Sequence, residues 1–137
     1  MHSRIIGAVA AALFLGHVAT PVVADDTDWA GFYQGIDGLS GSVDRVSIVP
    51  LGDGKFNIRI KPGIFVLCES RDGWIVADGR LSDGKLMREN TQIHCGGGAA
   101  TTTIPDTVYT RDEATGILTL EAYNDQRKLY YHRMSGL

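Results

Sequence analysis

The sequence predicts an all-β domain: a small antiparallel meander of eight to nine strands closed into a barrel, with a two-sheet sandwich as the alternative. Three observations predict it. Asp/Gly breaks recur roughly every 8 to 12 residues, at Asp37-Gly38, Gly52-Asp53-Gly54, Pro62-Gly63, Asp72-Gly73, Ser82-Asp83-Gly84 and Thr115-Gly116. Asp-Gly accepts positive φ at little steric cost and so suits tight hairpin turns. Between the breaks, apolar residues alternate with polar ones, the pattern of an antiparallel sheet with one wet face. Beyond residue 25, no stretch carries a helical apolar stripe of useful length.

The chain opens with a leader-like segment. His2 and Arg4 precede an apolar run from Ile5 to Gly16, and Val22-Val23-Ala24 gives a small-residue exit before Asp25-Asp26. This is the pattern of a secretory signal peptide, its apolar run well short of the roughly 20 residues that span a bilayer. The expected organisation is a signal peptide over 1–24 and a single β-barrel domain over 25–137, secreted or periplasmic. Removing 24 of the 137 residues leaves 113, enough for one domain.

The elements follow in order. The first strand is 30–36, carrying Phe32 and Tyr33. The second is 43–50, where Val46 and Ile48 alternate with Arg45, Ser47 and Val49. In the third, 56–61, Phe56, Ile58 and Ile60 oppose Asn57, Arg59 and Lys61. Ile64-Phe65-Val66-Leu67-Cys68 lacks alternation, so 64–69 reads as a strand covered on both faces. Strands at 74–81 and 86–94 flank the Asp83-Gly84 turn. The segment from Gly96 to Asp106, with three consecutive glycines, reads as a long mobile loop. Strands at 107–111, 117–123 and 128–134 complete the meander.

Two cysteines, Cys68 and Cys95, fall in the exported part. In an oxidising compartment they are expected to pair as a disulfide. A simple meander would place them two strand spacings apart, about 9.5 Å, beyond the roughly 7 Å limit for Cα atoms of a disulfide. The bond then requires strong curvature, or a crossing of the middle strand by the soft glycine run after Cys95. Either way it pins one mouth of the barrel.

The opening Trp29-Ala30-Gly31-Phe32-Tyr33-Gln34-Gly35, followed by Gly41-Ser42 and by Asp53-Gly54 before Phe56, resembles the first hairpin of lipocalins, avidins and other small secreted ligand-binding barrels. Those families carry Gly-x-Trp, and here the third position is Tyr33. The resemblance covers about thirty residues and implies a barrel fold. It transfers no ligand residue, because no binding motif matches, and fold alone does not give function.

The residues exclude more chemistry than they support. The exported part balances 12 Lys and Arg against 16 Asp and Glu once Arg4 leaves with the leader, a net charge near −4, which gives no electrostatic reason to expect nucleic acid. Beyond Ala24, no apolar run reaches membrane-spanning length. His94 beside Cys95 lacks the further ligands that zinc requires, and no calcium loop or phosphate-cradling glycine loop is present. Ser40 and Ser42 read as a polar turn, not as a nucleophile elbow. Glu69, Asp72, Asp78 and Glu89 carry no readable acid pair. Arg59, Lys61, Arg80, Arg88, Arg127 and Lys128 read as a solvated outer surface, and most of the aromatic set reads as core.

The expectation is therefore an exported non-enzymatic binding protein without cofactor or metal, holding a small apolar or amphipathic ligand. Trp29, Tyr33 and Trp74 are its candidate aromatic contacts, and Gly97 and Thr102 its candidate loop contacts. The alternative is a protein-binding envelope factor or an inhibitor of a secreted hydrolase.

Overall fold

The computed structural model describes residues 25–38, 40–69, 72–96, 99–121 and 128–135; the expected leader over 1–24, together with Gly97, Tyr123 and Arg127, lies outside them. A single turn of helix, α1 (Asp26–Trp29), precedes nine strands: β1 (Gly31–Ile36), β2 (Val43–Gly52), β3 (Lys55–Lys61), β4 (Gly73–Ser82), β5 (Lys85–Cys95), β6 (Ala99–Thr103), β7 (Thr107–Arg111), β8 (Leu118–Glu121) and β9 (Lys128–Arg133). Sheet neighbours are antiparallel in the order β4-β3-β2-β1-β9-β8-β7-β5-β6, and a further β4–β5 pairing closes the ring. The result is a closed eight-stranded meander barrel, and at this coarse level the fold is consistent with a lipocalin-like barrel. The sandwich alternative falls away because closure leaves no second sheet.

Turn chemistry sets the hairpins where the sequence places them. Asp53 and Gly54 lie at φ 53° and 69°, and Asp83 and Gly84 at 51° and 70°. Two successive positive φ values match the right-handed twist of the flanking strands.

Two expected segments differ. Residues 64–69 are not a strand: Val66–Cys68 form a 3-10 turn in the connection between β3 and β4. Phe65 and Cys68 are buried there while Ile64 and Leu67 face out, the three-residue period of a 3-10 turn. The supposed loop from Gly96 to Asp106 contains β6, whose Thr103 and Thr102 pair with Gln92 and Ile93 of β5. Farther along β5, Arg88, Met87 and Leu86 pair with Thr107, Val108 and Tyr109 of β7. Both sets keep one register, so β6 and β7 are a single stave of the barrel. Pro105, which has no N–H to give, breaks it.

The cysteines are joined, with Cα atoms 5.4 Å apart. Neither curvature nor a crossing after His94 is needed. Because the 3-10 turn leaves the sheet, Cys68 folds over the pair formed by Gly73 and Cys95 at the end of β4 and β5. Gly73 makes room for it: a Cβ at that position would run into the Phe65 ring and come within 2.8 Å of the Cys68 Sγ.

Large apolar side chains converge on the barrel interior. Tyr33, Val46, Ile48, Phe56, Ile58, Ile60, Ile75, Ala77, Leu86, Ile93, Tyr109, Leu118, Leu120 and Tyr131 point inward, with Trp29, Phe65 and Cys68 completing the core. Tyr109 and Tyr131 meet edge to face, ring centres 6.2 Å apart, a favourable aromatic geometry. An eight-stranded barrel is of the size at which side chains can fill the lumen or leave room for one small ligand.

Candidate functional site

Strand parity decides what faces out. With Tyr33 and Gly35 inward on β1, Phe32, Gln34 and Ile36 point outward. The β1–β9 register pairs Gln34 with His132 and Gly35 with Tyr131, so the same ladder brings Met134 beside Phe32 and Tyr130 beside Ile36. The Met134 N–H donates to the Phe32 carbonyl at 2.8 Å and carries this ladder past the end of β9. Large apolar side chains on this face stay in water: Ile36 is 67% exposed, Phe32 57%, Tyr130 54% and Trp74 42%. Single exposed apolar residues are ordinary on a protein surface, but several large ones sharing one face are not.

Two grooves lie on this face and share Met134 in their lining. One, of about 600 Å³, has Phe32, Trp74 and Met134 as apolar lining and Arg45, Arg59 and Lys61 as cationic lining. The other, of about 1020 Å³, includes Gln34, Ile36, Tyr130 and His132. The Trp74 ring stacks on His94, ring centres 5.4 Å apart and 10° from parallel. Lys61 pairs with Asp72, and this ammonium holds the Asp72 carboxyl below the usual carboxylate range. Arg59 donates to the Asn57 side chain at 3.2 Å. Arg45 makes no ion pair among the described residues.

The residues singled out from sequence fall in different places. Trp29 and Tyr33 are buried core. Arg133 lies over the Tyr33 ring at 5.9 Å, and burial raises the phenol's pKa while Arg133 pulls it back. Trp74 stands on the outer face. Thr102 lies in β6, paired with Ile93 of β5. The expected outer surface holds for Arg59, Lys61, Arg80 and Lys128, which are all exposed. It fails for Arg88, which is only 5% exposed. Alternation carried the signal: Leu86 points in and Met87 out, so Arg88 points in.

Polar groups inside the wall were not found from sequence. Asp44, Arg88 and Thr91 are buried. The atoms Asp44 Oδ1, Arg88 Nε, Thr91 Oγ1, Thr107 Oγ1, Tyr109 Oη and Arg111 Nε are sealed from solvent without a hydrogen-bond partner. Burial and the nearby Asp37 push the Asp44 carboxyl up to about 6, against a backbone N–H from Gly63 that favours ionisation. Burial likewise raises the Tyr109 and Tyr131 phenols.

Among the described residues, no group of three or more His, Cys, Asp and Glu side chains is placed to hold a metal, and no helix is long and apolar enough to cross a membrane. Comparison with known proteins finds no matching family model, no matching curated protein and no matching solved structure.

Proposed function

We propose that this is an exported, non-enzymatic protein-binding factor that grips its partner with the outer face of β9, β1, β2, β3 and β4, an inhibitor of a secreted hydrolase being one form of that role. One observation carries the reading: large core side chains converge on the lumen while Phe32, Ile36, Trp74, Tyr130 and Met134 are exposed on a shared outer surface. Interface cores are enriched in aromatic residues, Met and Arg, which is the composition of this face with Arg45 and Arg59 included. The exposed apolar residues extend over strands from β9 to β4, a spread that suits a protein partner better than a single small ligand, which one enclosed pocket would serve. The disulfide and the leader-like first 24 residues support an exported setting.

A second reading, a small amphipathic ligand with an acidic group, is favoured by the groove of about 600 Å³ with apolar floor and cationic rim. One experiment separates them. The oxidised protein and the double variant Phe32→Ser/Tyr130→Ser are compared by capture from the exported fraction of the host and by native mass spectrometry. Protein binding predicts a captured partner lost in the variant, with its melting temperature retained. A partner held equally by both overturns the outer-face assignment, and a small bound mass with no protein partner supports the second reading.

A further inference from the structure

The wall of the barrel is interrupted on both sides of the middle of β5, and buried hydrogen-bond donors gather behind it. In the β4–β5 ladder, Val76 pairs with Gln92 and Asp78 with Glu89, so Asn90 and Thr91 together oppose Ala77. This bulge, with Asn90 at φ 51°, shifts the parity so that Arg88 and Thr91, three apart, both turn inward. On the other side of β5, Pro105 and Asp106 interrupt the stave between Ile104 and Thr107. Segments 88–91 of β5 therefore lie between a bulge and a break.

Arg88 and Thr107 are direct cross-strand partners, and Tyr109 follows Thr107 on the same inward face. The Arg88 Nε and the Thr91, Thr107 and Tyr109 hydroxyls are all buried and unpartnered. Burial raises the Tyr109 phenol's pKa, while the nearby Arg88 guanidinium holds it down. A guanidinium cannot shed its proton to escape burial, and a buried charge without a partner is costly. The ion pairs among the described residues are Lys61–Asp72, Arg80–Glu89 and Lys128–Glu121; none includes Arg88. From outside, a groove of about 480 Å³ with Lys85, Pro105, Asp106 and Thr107 in its lining reaches the break.

We propose that Arg88, with the hydroxyls of Thr91, Thr107 and Tyr109, forms an anion site within the wall that takes a small carboxylate entering at the Pro105 break. The planar guanidinium fork matches a carboxylate, and the hydroxyls donate to its remaining lone pairs. This site is distinct from the outer apolar face and does not depend on it.

The test follows the Arg88 Nε–H resonance of the ¹⁵N-labelled oxidised protein during titration with sodium formate at constant ionic strength, with sodium chloride as the second probe. The expected result is a saturating shift with formate. Its midpoint rises at least about tenfold in Thr107→Val, as expected for loss of one hydrogen bond to a charged group. Tyr109→Phe is a second near-isosteric variant that tests the same point without removing the charge. A response that never saturates, or a midpoint unchanged in both variants, overturns the site. Chloride binding as tightly as formate overturns the carboxylate assignment.

Discussion

The Tyr33 hydroxyl donates a 2.9 Å hydrogen bond to the carbonyl of Trp29, four residues earlier and also buried. That bond ties α1 to the first strand and seats the Trp29 ring as a plug over the core. Tyr33→Phe leaves the Trp29 carbonyl buried and unmatched. Such a loss costs about 1 to 2 kcal/mol, to be read from urea denaturation. Because Tyr33 points inward, partner capture by the outer face is expected to be unchanged.

Opening the Cys68–Cys95 bond frees a segment with a sequence separation of 27. On the chain-entropy account, the cross-link stabilises the fold by about 3.5 kcal/mol, a large part of the roughly 5–15 kcal/mol of a typical domain. Cys68→Ala/Cys95→Ala should therefore unfold at markedly lower urea, with a second contribution from the lost packing on Gly73. The wild-type protein with reductant should move in the same direction. Equal midpoints with and without reductant would show that the bond closes no consequential loop.

Gly35 and Gly38 form a matched pair of tests. A Cβ at Gly35 would lie 2.5 Å from the Tyr130 carbonyl oxygen and 2.7 Å from the Tyr131 ring, whereas one at Gly38 meets nothing within 4 Å. Gly35→Ala must push a backbone atom and a buried ring, so a loss of about 2 to 3 kcal/mol is expected, typical of overpacking. Gly38→Ala should be near neutral. Thermal melts of the two variants side by side check the contrast.

Asp44 gives the stability a pH signature. Its folded pKa, about 6, lies above the ordinary carboxylate value of about 3.9 in an unfolded chain. Between about pH 4 and 6 the unfolded chain has released this proton while the folded one retains it, so stability falls as pH rises through that window. The full effect is on the order of 3 kcal/mol. Asp72 and Asp112, whose carboxyls are held low by Lys61 and by Thr115, act in the opposite sense, losing their contribution as pH falls below about 4. Urea midpoints across pH 4 to 6 should decline in the wild type and flatten in Asp44→Asn. A wild-type profile flat across that range would contradict a raised pKa for the buried Asp44 carboxyl.

Parity made much of this molecule legible. The inward set Val46, Ile48, Phe56, Ile58 and Ile60 follows from alternation alone, and the Asp53-Gly54 and Asp83-Gly84 turns follow from backbone sterics. The disulfide followed from compartment logic, although its geometry did not. Residues 64–69 misled because a short apolar run fits a strand as readily as a turn, and the burial of Phe65 and Cys68 three apart is clear only once Ile64 and Leu67 are known to face out. β6 was hidden for a different reason. Its glycine-rich approach describes local softness, whereas its pairing is imposed from afar by β5, an eleven-residue strand that the five residues of β7 cannot cover. The outer face could be inferred from the outward parity of Phe32, Trp74 and Tyr130. Arg88 was missed because its charge was weighed above its parity.

The pairing of the staves divides the barrel into unequal arcs. The β4–β5 ladder runs from Gly73 with Cys95 to Ser82 with Lys85, and β2–β3 from Arg45 with Lys61 to Gly52 with Lys55. By contrast, β5–β7, β7–β8 and β9–β1 are each joined over three residues among those described. Such a cylinder opens locally along its C-terminal arc long before the N-terminal arc yields, and amide exchange should be fastest there. Phe32 sits on β1 and Tyr130 on β9, on either side of one of these short joints. A partner that holds both therefore acts as a clasp across the seam, and slower exchange in the whole C-terminal arc becomes a signature of binding at a face it does not itself form.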